Sequence, residues 1–137
     1  MTPAQQTLVQ ASFAKVVPIA DTAATLFYED LFRRDPSLRA LFKEDMAEQR
    51  QKLMATIGTA VASLGDWESI APAVAALGER HAAYGVRTEH YDTVGKALIT
   101  ALQKGLGDAF TPEVKEAWLA CYAAVAAEMI GGAKATT

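Results

Sequence analysis

The chain has 137 residues, 51% of them apolar and 21% charged, the balance of a folded chain large enough to bury roughly two-thirds of its unfolded surface in one domain. Its net charge of −3, with basic residues grouped only as "FRR" at 32–34 and "QRQK" at 49–52, excludes a phosphate-tracking nucleic-acid surface. Those two short groups read as solvated helix edges.

The N-terminal "MTPAQQTLVQ" has neither the basic start nor the apolar run of a signal peptide, so a cytoplasmic location is the default expectation. Thr2 as cap, Pro3 at the first helical position and Gln5 three residues on make a capping-box pattern. The helix that follows should bury Val9, Phe13 and Val16, with Pro18 separating it from the next. A second helix, about 19–33, carries Ala24, Phe27, Tyr28 and Leu31 on one side. Pro36 stops it and restarts the chain with Asp35 as cap, for a short helix ending near Phe42. A long helix over about 45–64 places Met46, Gln49, Leu53, Ile57, Ala60 and Leu64 near one face; Gly65 ends it and Asp66 caps the next turn.

Pro72 starts the helix that carries His81, and Gly85 ends it. His90, in the turn "RTEHYD", is expected to be exposed. A helix over about 91–106 presents Tyr91, Val94, Leu98 and Leu102, flanked at its end by Gly105 and Gly107. Thr111 and Pro112 open the last helix, which buries Val114, Trp118, Cys121 or Tyr122, Val125 and Met129. The lone Cys121 excludes an internal disulfide and reads as a small buried hydrophobe. "LACYAAVAAEMI" is too short, and interrupted by Glu128, to be a membrane span. Residues 131–137, "GGAKATT", read as a frayed tail of a single domain over 1–137. No period-two alternation is long enough for a sheet, so the fold class is all-α.

Three residues on apolar faces are polar: Tyr28, Gln49 and His81. Each has an ordinary explanation. A tyrosine packs its ring and sends its hydroxyl to a carbonyl, a glutamine at a stripe edge turns to solvent, and an inward histidine is hydrogen-bonded in the core. Burying all three unsatisfied would cost on the order of 1–3 kcal/mol apiece, and one shared polar object inside the core resolves them together. A metal held by protein ligands alone does not fit two histidines, one cysteine and no HExxH or CxxC spacing. Haem fits better, because its iron takes four nitrogens from the porphyrin and one from the protein.

On these motifs the chain resembles the bacterial single-domain globins, the family related to the haem domain of flavohaemoglobins and to Vitreoscilla-type haemoglobins. "LFYEDLFRRDPSLRALF" is similar to the family's second helix and following corner, with Tyr28 matching the distal tyrosine, Phe27 beside it, and Phe42 the phenylalanine wedged against haem. "EQRQKLMATI" is similar to the distal helix, placing Gln49 at the ligand-facing position, Leu53 one turn on and Ile57 beyond. "ERHAAYGV" matches the proximal segment, with His81 as iron ligand between Leu77 and Val86. "HYDTVGKAL" brings Tyr91, Val94 and Leu98 to the proximal side.

The resemblance implies a globin fold, a three-over-three helical sandwich around one haem b (iron protoporphyrin IX). It implies reversible binding of O2 and of other diatomic gases such as NO and CO, for oxygen binding, storage, transport or delivery, by a monomer or weak homodimer. The His81 N–H is expected to meet the Leu77 carbonyl. The family's flavohaemoglobin enzymes continue into a reductase and add a glutamate to the proximal histidine and tyrosine; here the chain stops at Thr137 and the matching stretch is "GGAKATT". A nitric oxide dioxygenase would therefore rely on a separate reductase, and a haem-based gas sensor or interaction module is a further reading.

Overall fold

The computed structural model describes residues 1–42 and 45–135, with side chains as far as Gly132 at the C-terminus. Among them are the helices α1 (Pro3–Val16), α2 (Ala20–Arg34), α3 (Met46–Ala62), α4 (Trp67–Ala83), α5 (Thr88–Leu106) and α6 (Pro112–Ala135). Short 3-10 turns at Val17–Ile19, Pro36–Leu41, Leu64–Asp66 and Gly107–Ala109 join or extend them. No strand occurs among the described residues, and no helix among them is long and apolar enough to cross a membrane.

Local chemistry sets most of these boundaries. The Thr2 hydroxyl accepts from the Gln5 N–H at 3.1 Å while the Gln5 side chain accepts from the Thr2 N–H at 2.9 Å. Both bonds satisfy donors that the first turn leaves free. Thr2→Ala is expected to lower the unfolding free energy by about 1 kcal/mol, measured as a drop in urea midpoint at unchanged slope. Asp35 caps the turn after Pro36 by accepting from the Ser37 N–H at 3.1 Å, and Asp45 caps α3 by accepting from Ala47 at 2.9 Å.

Packing decides the rest. α1 lies on α3, α5 and α6, α2 on α3 and α5, and α4 on α6. The helices α1, α3 and α4 thus form one layer over α2, α5 and α6. One core cluster joins Val9, Val16, Val61, Leu102 and Trp118, and a second joins Phe27, Tyr28, Leu31, Leu38 and Ala101. Trp118, only 2% exposed, donates its indole N–H to Ser12 Oγ at 2.8 Å, and Ser12 passes its own hydrogen to the Leu8 carbonyl at 2.7 Å. The buried indole and hydroxyl are therefore both satisfied.

Five expectations from the sequence are corrected. α4 begins at Trp67, and Pro72 sits inside it; Trp67 packs against the first core cluster, which draws residues 67–71 into the helix. Pro72 has no N–H for the Glu68 carbonyl, and Glu68 lies on an exposed stretch where that carbonyl need not be paired within the helix. Asp66 stands at the cap position of α4 but makes no side-chain capping bond. His90 is buried at 8% exposure, because its Nδ1 turns back to accept from the Arg87 N–H at 2.9 Å and closes the start of α5. Residues 131–135 of the expected tail continue α6 instead of fraying, since Gly132 lies against the backbone of Ala75 in α4; positions 136 and 137 lie outside the described residues.

"FRR" is not simply a solvated edge either. Arg33 and Arg34 both donate to the carboxylate of Asp30, whose side chain is 3% exposed, and Arg34 also reaches Thr100 at 3.2 Å. Burial alone would raise the Asp30 pKa, but the hydrogen bonds from Arg34 and Arg33 together outweigh it and hold the carboxyl below the usual aspartate value. A depressed carboxyl contributes stability that is present above its unfolded pKa and is lost as pH falls through the folded one. Asp30→Asn is thus expected to be less stable than wild type at neutral pH, with the gap closing below about pH 4; urea midpoints measured at both ends of that range check it.

Candidate functional site

α2 presents Tyr28, 5% exposed, toward the first turns of α3, where the Gln49 amide donates to the Tyr28 hydroxyl oxygen at 3.3 Å. Because the hydroxyl oxygen accepts in that bond, the hydroxyl hydrogen of Tyr28 is not used by Gln49. Rings surround it: Phe27 edge-on at 4.9 Å, Phe42 edge-on at 5.4 Å and Phe32 stacked at 5.9 Å between centroids. Burial raises the pKa of Tyr28 and the Gln49 bond offsets part of that rise, so the phenol remains a neutral donor.

The corner carrying Phe42 is held by Arg39, which the sequence did not single out. Its guanidinium lies 5.5 Å over the Phe32 ring and donates to the Phe42 carbonyl at 3.0 Å. The signal was present only as an arginine three residues before the phenylalanine.

His81 is half-buried on α4. Its Nδ1 lies 2.8 Å from the Leu77 carbonyl oxygen, as the sequence led one to expect. A carbonyl can only accept, so Nδ1 carries the hydrogen and the neutral ring keeps its lone pair on Nε2. Burial lowers the pKa of His81, the Leu77 bond partly opposes that, and the positive charge of Arg80 lowers it again. The neutral ring that a metal requires is therefore favoured. α4 ends at Ala83, and the chain turns away through Gly85, whose φ of 100° suits glycine. Leu41 lies 3.5 Å from where a β-carbon on Gly85 would sit, which brings the end of α4 beside the corner of Phe42.

Of the other residues singled out, Phe27, Leu53, Ile57 and Leu98 line one apolar cavity, which Phe13 and Val16 of α1 and Trp118 of α6 also line. Leu53, Val94, Leu98 and Phe42 pack on the core cluster that contains Tyr28. Val86 is joined to His81 through the backbone, donating to its carbonyl at 3.0 Å. Tyr91 is held through its own carbonyl, which accepts from the Tyr122 hydroxyl at 2.6 Å; its phenol pKa is raised by burial. His90 takes no part in this group. Among the described residues, no cluster of three or more His, Cys, Asp or Glu could hold a metal ion.

The chain thus combines an all-helical, two-layer fold with a neutral histidine on one helix and a tyrosine–glutamine pair on two others. The globin family model matches residues 25–129, and the chain belongs to the globin family. It is 33% identical to the flavohemoprotein of Bacillus subtilis over 81% of this chain and 29% of that protein. With the flavohemoprotein of Bordetella bronchiseptica it shares 30% identity over 98% of this chain and 34% of the relative. The chain thus spans about a third of the length of these relatives.

Solved structures share the fold. An engineered carbene transferase made from a candidate nitric oxide dioxygenase of Rhodothermus marinus superposes with a TM-score of 0.90 at 24% identity, covering 99% of this chain and 95% of that one. A bacterial globin from Campylobacter jejuni gives 0.86 at 23% identity, covering 98% of both chains. A flavohemoglobin from Malassezia yamatoensis with bound FAD and heme gives 0.81 at 24% identity, covering 98% of this chain and 37% of that one.

Proposed function

We propose that this globin binds haem through His81 and reversibly holds O2, or another diatomic gas, beside Tyr28 and Gln49. The observation that carries the reading is the Gln49 amide donating to the Tyr28 oxygen at 3.3 Å, which leaves the buried hydroxyl hydrogen free for a ligand. Two further features fit the group: a neutral imidazole with Nε2 unprotonated, and an apolar surround of Phe27, Phe42, Leu53, Val94 and Leu98. Haem, when bound, supplies the iron that takes the gas, as it does in globins generally.

The chain's own residues then divide the work. His81 would hold the iron through Nε2, with the Leu77 carbonyl fixing its tautomer and ring orientation. Tyr28 would donate to the bound gas, a bond worth about 1.5–3 kcal/mol where the acceptor carries charge. Gln49 orients that donor and polarises it by donating to its oxygen. Phe27, Phe42 and Leu53 keep water away, so the bond is not traded for one to solvent. An absorption spectrum of the purified protein, taken with and without O2 after reduction, tests the reading; a protein that takes up haem but shows no change with O2 would overturn it.

The reading as a nitric oxide dioxygenase served by a separate reductase is less well supported. Among the described residues the His81 Nδ1 hydrogen bond goes to a neutral carbonyl, not to a carboxylate that would make the ring more electron-donating.

A further inference from the structure

If His81 is an iron ligand, the depth and tilt of α4 decide how its imidazole meets the metal. α4 is seated on α6 by two glycines. A β-carbon on Gly78 would lie 2.0 Å from the Met129 carbonyl oxygen, and one on Gly132 would lie 2.0 Å from the Ala75 carbonyl oxygen. Ordinary contact starts near 3.4 Å, so any side chain at either place would drive the backbones apart by more than an ångström. The contacts are reciprocal, one glycine on each helix, which fixes both the separation and the register of the crossing. α6 also holds the start of α5, where Tyr122 donates to the Tyr91 carbonyl at 2.6 Å and its ring lies 2.8 Å from where a β-carbon on Gly95 would sit.

We propose that α6, through the Gly78 and Gly132 contacts, positions His81 against the haem iron. The proposal rests on the reading of His81 as that ligand. At about 100° per residue, His81 projects about 60° from Gly78, and Ala75 lies about 60° to the other side. The imidazole therefore points roughly at right angles to the direction of α6. Moving α4 off α6 carries the ring sideways across the iron, neither toward it nor away, and tilts the bond. The Leu77 carbonyl holds the ring to its own helix at 2.8 Å, so the ring follows the backbone. Gly78 and Gly132 are thus positioning residues, acting through the backbones of α4 and α6.

The test is Gly132→Ala, read by resonance Raman of the reduced, gas-free protein and by the rate of haem transfer to excess apomyoglobin. This variant folds by either of two routes: α4 moves, or residues 132–135 at the end of α6 unwind. The expected result is an iron–histidine stretching band moved to lower frequency and haem loss about tenfold faster, the change that about 1.4 kcal/mol produces. Gly131→Ala, with nothing within 4 Å of its β-carbon, leaves both unchanged. Gly78→Ala, in mid-helix with no end to unwind, moves the band further wherever it folds. In a His81→Gly background with imidazole added, the ligand is cut from α4 and Gly132→Ala no longer moves the band.

An unmoved band in haem-loaded Gly132→Ala overturns the proposal, as does a shift that persists when the imidazole is untethered. Wild-type protein that takes up no haem overturns the reading of His81 instead, and the absorption spectrum alone reveals that case.

Discussion

Purified His81→Ala protein is expected to lack the haem absorption spectrum of the wild type, or to recover a five-coordinate spectrum only when imidazole is added. The argument is one of ligand count. The porphyrin supplies four nitrogens and the protein one, and His90, the other histidine, is turned inward to cap α5 through its Nδ1. Nor does any cluster of ligand-type side chains among the described residues offer a substitute. The fold should survive the change: His81 is half-buried, and its Nδ1 bond is to a carbonyl of its own helix. Far-ultraviolet circular dichroism that matches wild type, together with a lost haem spectrum, separates ligation from folding. A variant that keeps an unaltered haem spectrum without imidazole would show that another group holds the iron.

Tyr28→Phe is expected to speed O2 release on the order of 10- to 100-fold, the consequence of losing about 1.5–3 kcal/mol from a hydrogen bond to a charged acceptor. The ring stays where it is, because Phe27, Phe32 and Phe42 pack against its faces and edge at 4.9–5.9 Å. Only the donor is removed. Gln49 loses its acceptor in this variant, but it is half-buried and can turn to water. Gln49→Leu should raise the off-rate by less than Tyr28→Phe, because the amide acts through the hydroxyl it donates to. Stopped-flow displacement of O2 by CO measures both rates; an off-rate for Tyr28→Phe equal to wild type would reduce Tyr28 to a packing aromatic.

Much of the fold was legible in the residues. The caps at Thr2 and Asp35 are local bonds over two or three residues, and the apolar stripes follow the helix's own period. The Leu77 carbonyl as partner of His81 was legible for the same reason, since residues four apart on a helix face each other. Legibility failed where a distant segment intervened. Pro72 looks like a helix start until Trp67 finds the core and pulls a further turn into α4. Residues 131–135 look like part of a tail until Gly132 meets Ala75.

The candidate site divides along the same line. Tyr28, Gln49 and His81 stand out by themselves as polar groups on apolar stripes, because burying such a group without a partner is costly. That Gln49 donates to Tyr28, that Arg39 clamps the Phe42 corner, that Tyr122 holds Tyr91, and that two glycines bring α4 onto α6 were decided by the tertiary structure alone. The periodicity of a helix reports which of its faces is buried, and the distance and register between two helices depend on residues that meet only after the chain has folded.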